Sequence, residues 1–248
     1  MRSLREIEAA PTPKPKPIIR GLVNQGELVI VTGQFDSYKS TFGLEMARAV
    51  VCGDKFLARF PVQMPGPALV MQKEIHPGFY DERVMELGIQ DEAKDRLFTD
   101  YSQDFKFKPG YGDVLTEMIR DKGLRLIVFD PLSLFWPFDD KDFNENDNSC
   151  VNRALTPLLK LRGHTDCTFV LVHHDPKPSK EYQGRARGAS SLMNNPDVRF
   201  MIDREDDVIT VHSRTRNQVP VRSFQARLNE ARRLHCIRNP VETDIHQE

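Results

Sequence analysis

The chain has 248 residues, 39% of them hydrophobic, with 35 lysines and arginines against 36 aspartates and glutamates and a formal net charge of −1. That length carries a sizeable α/β core, and the near-neutral charge excludes a global basic field, so any polyanion must be held by a local patch. Cys52, Cys150, Cys167 and Cys236 lack C-x-x-C spacing, no apolar run approaches bilayer-spanning length, and the N-terminus is charged and proline-rich; a zinc site, a disulfide framework, a membrane span and a secretory signal are all disfavoured, and a soluble cytoplasmic protein is expected.

Residues up to about Pro17 read as a flexible, extended arm (1–18), because Pro11, Pro13, Pro15 and Pro17 alternate with Thr12, Lys14 and Lys16 and favour a polyproline-like conformation. Such an arm is either a solvated leader or a strap across a neighbouring subunit. The next segment is more informative. Leu28-Val29-Ile30-Val31-Thr32-Gly33 has the apolar character of a strand buried on both faces. Gln34-Phe35-Asp36-Ser37-Tyr38-Lys39-Ser40-Thr41 then leads into a helix with Phe42, Met46, Ala49 and Val50 at helical spacing and Gly53 placed to end it. A strand, a tight loop carrying Lys-Ser and a helix form the layout of a P-loop. Amides and the helix N-terminus face the phosphates, Lys39 reaches the β- and γ-oxygens, and the Ser40 hydroxyl binds Mg²⁺. Gly33, Asp36, Ser37, Tyr38, Lys39, Ser40 and Thr41 are the candidate nucleotide-binding residues. Tyr38 stands where glycine is usual. A positive φ there costs a tyrosine about 1–3 kcal/mol, so the loop is either a variant in which the ring packs aside or a weakened site.

A second strand is predicted at Pro67–Gln72, helices at Tyr80–Leu87 and Val114–Lys122, and a third strand at Leu126–Phe129 ending at Asp130. Val151–Arg162 reads as a helix and Thr168–Val172 as a fourth strand leading to His173 and His174. This alternation argues for a mostly parallel sheet with helices on both faces. From Val198 the rhythm changes: Val198–Ile202, Val208–His212, Val221–Ala226 and Arg233–Ile237 read as short strands joined by tight turns, an antiparallel extension of the sheet. One domain over 19–238 and a frayed tail from Asn239 are expected.

Ligands of open α/β sheets gather at the carboxyl ends of the strands, which selects three more residues. Asp130 is a candidate to organise Mg²⁺ with Ser40, against the alternative that Asp-Pro simply starts a loop. Glu74, just past the second strand, is either the group that orients the attacking water or a solvated loop glutamate. His174 is placed to sense the γ-phosphate, and His173 to pack or bond locally.

Taken together, these signals resemble a RecA-type P-loop ATPase of the RepA/DnaB hexameric helicase group, most closely its single-domain branch from plasmids and phages. The likeness runs from about Gly21 to Ile237. It rests on Gly33…Lys39-Ser40-Thr41, on Glu74 with Arg83 at the spacing of the family's E…R segment, and on Asp130-Pro131-Leu132 followed by Asn144 to Asn148. It rests also on His173-His174-Asp175-Pro176-Lys177, on Arg187-Gly188-Ala189-Ser190-Ser191-Leu192, and on Arg214-Thr215-Arg216-Asn217, where arginine replaces the lysine of the family's KxRN. The resemblance implies ATP and Mg²⁺ as cofactors, a homo-oligomeric ring with ATP between subunits, and a bacterial, plasmid- or phage-encoded setting. Arg214 and Arg216 would reach a neighbour's γ-phosphate in trans, with Arg187 a further candidate. It also implies that the Tyr38 loop is a tolerated variant.

In such rings the loops after the third and fourth strands face the channel. The first, Trp136 to Asn148, is acidic and suits DNA poorly. The second carries Lys177, Lys180, Tyr182 and Arg185, the chemistry of single-strand gripping and base stacking, or else a basic surface loop. The leading expectation is an ATP-driven helicase or translocase on single-stranded DNA in replication or recombination. The alternative is a nucleotide-gated DNA-binding ring, loader or scaffold with weak or no hydrolysis. A small-molecule kinase is a weaker third, lacking a recognisable acceptor site and lid.

Overall fold

A computed structural model describes residues 1–174, 190–217 and 223–238. In chain order it contains α1 (Leu4–Ala9), β1 (Pro17–Ile19), β2 (Val23–Asn24), β3 (Leu28–Gly33), α2 (Lys39–Cys52), β4 (Lys55–Phe56) and β5 (Phe60–Pro61). Then come β6 (Ala68–Gln72), α3 (Pro77–Met85), α4 (Asp91–Lys94), β7 (Leu97–Asp100), α5 (Tyr111–Lys122), β8 (Leu126–Asp130) and a 3₁₀ turn, Leu132–Phe135. The last are α6 (Asn148–Thr165), β9 (Thr168–His174), α7 (Ser190–Asn194), β10 (Val198–Glu205), β11 (Val208–Thr215), β12 (Ser223–Leu228) and β13 (Leu234–Arg238).

Nine strands form one sheet in the order β13-β12-β11-β10-β3-β9-β8-β6-β7. The six strands from β10 to β7 are parallel, and β11, β12 and β13 continue it antiparallel. The mostly parallel α/β sheet with a C-terminal antiparallel extension is the expected fold class. Each central strand feeds two cores because successive side chains point to opposite faces. Val29, Val31, Val70, Val128, Val170 and Val172 pack on the α2 side. Leu28, Ile30, Ile127, Phe129, Phe169 and Leu171 pack on the side of α5 and α6.

Three differences from the sequence reading have local causes. The first residues are not wholly extended: Ser3 caps α1, accepting from the Glu6 amide while Glu6 answers to the Ser3 amide, and this capping box winds one short exposed helix before the prolines. α6 begins at Asn148, earlier than expected, because the Asp147 carboxylate accepts from the Ser149 and Cys150 amides. Trp136 is not part of an exposed loop. It is buried against Phe107 and Phe143, so only the acidic stretch beyond it is solvated. The tail from Asn239 lies outside the described residues.

Candidate nucleotide site

Parallel pairing places Gly33 beside His174 and Gln72 beside Asp130, so β3, β9, β8 and β6 all end along one edge of the sheet. The loop after β3 wraps that edge. Gly33 is required by close approach: a Cβ there would stand 2.4 Å from the Ile202 carbonyl oxygen and 2.7 Å from Ser37 Oγ. The following loop turns through two left-handed residues that are not glycine, Asp36 at φ 60° and Tyr38 at φ 61°. Tyr38 therefore does adopt the angle that normally selects glycine. Its ring packs partly buried against the core, with the Arg204 guanidinium 4.2 Å from the ring centre. Tyr38 is also the left-handed N-cap residue of α2, and among the described residues no side chain caps that helix, which leaves its first amides to a ligand.

Lys39 is buried within the loop, and its Nζ donates to the Gln34 carbonyl and to Ser37 Oγ. Ser37 Oγ in turn donates to the Gln34 carbonyl at 2.8 Å. Ser40 Oγ donates to Asp130 Oδ1 at 3.1 Å, joining the two proposed Mg²⁺ groups from elements ninety positions apart. Asp130 is 2% exposed. Burial pushes its carboxyl up to about 6, the Glu74 charge adds to the rise, and the Ser40 hydrogen bond and Lys39 oppose it.

Glu74 and His174 meet at the same rim, Glu74 Oε2 lying 3.7 Å from His174 Nε2. Burial lowers the pKa of His174, the Lys39 charge lowers it further, and Glu74 works the other way. The imidazole is thus neutral near pH 7, where it can either donate or accept. Its Nδ1 is buried and has no hydrogen-bond partner among the described residues. Phe35 stacks on the ring from the loop side, with centroids 6.3 Å apart.

Phe35, Lys39, Ser40, Glu74 and His174 border a cavity of about 560 Å³, a size that suits a nucleotide, whereas buried Asp130 is not in its lining and is tied to it through Ser40. One end is polar, formed by the loop from Phe35 to Thr41 with Glu74, Arg83 and His174. The rest of the wall mixes Leu44, Leu87, Leu228 and Ala231 with the charged Glu45, Glu86, Arg232 and Arg233. Leu228 ends β12 and Ala231 lies in the turn to β13, so the antiparallel extension closes the far wall. Arg233 from that turn donates to the buried Glu45 of α2 at 2.9 Å, and Arg48 holds the same carboxylate at 3.0 Å. The sequence reading missed this wall. Its strands were legible, but nothing in their pattern tells that their turn folds over α2.

The residues present fit a magnesium nucleotide. Among the described residues no group of three metal-ligating side chains occurs, and one hydroxyl with one carboxylate is the set Mg²⁺ uses when phosphates and water complete its shell. A buried lysine amine and open helix amides supply the phosphate donors. Arg214 and Arg216 are not part of this cavity. Thr215 pairs with Val198 and Val198 with Val29, which puts both arginines toward the opposite edge of the sheet. Arg199 faces Arg214 directly in register and joins them there. Its pKa is lowered by burial and by the charges of Arg216 and Arg214. Arg187 and the candidate DNA contacts Lys177, Lys180, Tyr182 and Arg185 lie outside the described residues.

A family model described as an AAA domain matches residues 2–180, more than half of the chain. It spans the loop, Glu74, Asp130 and His174 and stops before the antiparallel strands. No curated protein matches the chain.

Proposed function

The chain belongs to the AAA domain family, a nucleotide-binding ATPase of the P-loop fold, and on that premise we propose that it is a RepA-like motor hydrolysing Mg-ATP between subunits of a ring on single-stranded DNA. The observation that carries the nucleotide half is the Ser40–Asp130 contact beside buried Lys39. Lys39 and the α2 amides bind and orient the phosphates. Ser40 and Asp130 would hold Mg²⁺, which when bound would neutralise charge on the phosphate oxygens. Glu74 stands where it can orient the attacking water or accept its proton. Neutral His174 is placed to donate to an oxygen of the terminal phosphate. The base would lie toward Leu44, Leu87 and Leu228.

The motor half is supported by Arg214 and Arg216, whose distance from the cavity suits delivery to a neighbour rather than to their own site. Guanidinium groups fit that work because they stay charged and can meet two phosphate oxygens at once. The second reading, a nucleotide-gated ring with slow turnover, is favoured by left-handed Tyr38, which crowds a loop normally opened by glycine. Turnover measured with and without single-stranded DNA separates them. DNA-stimulated hydrolysis abolished by Lys39→Ala, with particle mass rising to that of a ring in ATP, supports the motor. Tight Mg-ATP binding without turnover supports the gate, and no Mg-ATP binding by folded protein overturns both.

A further inference from the structure

One side chain that braces the phosphate loop comes from outside the loop. Arg204 lies near the end of β10, two positions past Ile202, whose carbonyl abuts Gly33. Its Nε donates to the Asp206 carbonyl of its own hairpin turn at 2.5 Å, which anchors the guanidinium. Its Nη1 then donates to both the backbone carbonyl and the Oδ2 of Asp36, each at 2.7 Å. Its plane covers the Tyr38 ring at 4.2 Å. Asp36 and Tyr38 are the two non-glycine residues of this loop with left-handed backbone. One guanidinium therefore grips both strained positions, using charge-assisted hydrogen bonds at one and a cation–π contact at the other.

We propose that Arg204 is a positioning residue that preorganises the phosphate loop for nucleotide, doing from β10 what glycine does elsewhere by backbone freedom. The proposal rests on the nucleotide reading above and adds to it the origin of the loop's rigidity. Geometry separates this role from direct ligand contact: the guanidinium is committed to Asp36, Tyr38 and Asp206 and does not line the cavity. A strained segment persists only when its surroundings over-determine it, and here Arg204 is the side chain that reaches both left-handed positions. Lysine cannot replace it, since a point charge offers neither the fork nor the flat face.

The test compares Arg204→Ala in two backgrounds of the full chain, the natural loop and a loop carrying Asp36→Gly with Tyr38→Gly. Mg-ATP binding is measured by calorimetry, and amide hydrogen exchange over residues 34–39 is measured without nucleotide. In the natural loop, Arg204→Ala should weaken Mg-ATP binding about tenfold, the size of one lost charge-assisted grip. Exchange over 34–39 should quicken while the melting temperature holds. In the glycine loop the same substitution should change binding by less than about twofold, because the two changes act through one structure. An equal loss in both backgrounds means that Arg204 touches the ligand and overturns the proposal. So does unchanged binding or unchanged exchange in the natural loop, and so does a glycine loop that no longer binds. Natural protein that binds no Mg-ATP at all overturns the nucleotide reading itself, while the ligand-free exchange still judges Arg204.

Discussion

A tyrosine in a left-handed turn and a lysine deep in the fold show how single side chains are held against their preferences. Ser40 matters chiefly through Asp130: Ser40→Ala should lower Mg-ATP affinity about tenfold while leaving metal-free nucleotide binding nearly unchanged, as titrations with and without Mg²⁺ would show. Lys73, just before Glu74, is buried; its amine donates to the carbonyls of Gln103, at 3.2 Å, and Phe105, and lies 4.4 Å from the centre of the Phe135 ring. Burial, with the neighbouring Lys106 charge adding to it, lowers its pKa to about 8 against the opposing charges of Asp100 and Asp104. The folded state therefore releases this proton at lower pH than the unfolded chain does. Between about pH 8 and the ordinary lysine value of 10.5 unfolding takes the proton up, so the group's contribution to stability rises with pH and is lost as pH falls through 8. The stability of the natural protein relative to Lys73→Met should climb over that window in urea denaturation; a flat difference would refute the assignment.

Among elements, the joints depend on buried polar ties that apolar patterning does not announce. Asp197, 8% exposed, accepts from the Leu28 amide at 2.9 Å and from Arg162, so one carboxylate fastens the starts of β3 and β10 to α6. Asp197→Ala leaves a half-buried guanidinium and a buried amide without their partner and should cost about 2–4 kcal/mol in urea denaturation. The central strands were legible because buried parallel strands must be apolar throughout, and the strand ends then pointed to Lys39, Asp130 and His174. β7 was not: Leu97-Phe98-Thr99-Asp100 is a half-buried edge strand with no clear run. Trp136 was misread because the acidic residues after it mask a buried aromatic cluster. Arg204 was invisible for a different reason. Its role depends on hairpin register and on which loop lies beside β10, and neither is written in local sequence.

On the scale of the whole molecule, the cavity and the Arg199–Arg214–Arg216 group lie toward opposite edges of one sheet, as the proposed ring requires. Lys39→Ala and Arg216→Ala should each abolish turnover, the latter by roughly 10³-fold. Mixed in equal amounts they should regain activity at roughly a quarter of the interfaces expected from random assembly. No recovery on mixing would place Arg216 outside the shared site. Arg233 ties the β12–β13 turn to Glu45 of α2, and β10 pairs with β3. The family match ends at residue 180, yet β3 is flanked by β10 and the cavity's far wall comes from the turn between β12 and β13. A protein shortened to the matched region would bare β3 along its whole length, with peptide groups unsatisfied on a flat apolar ribbon, and would be expected to clump into aggregates before it could be assayed.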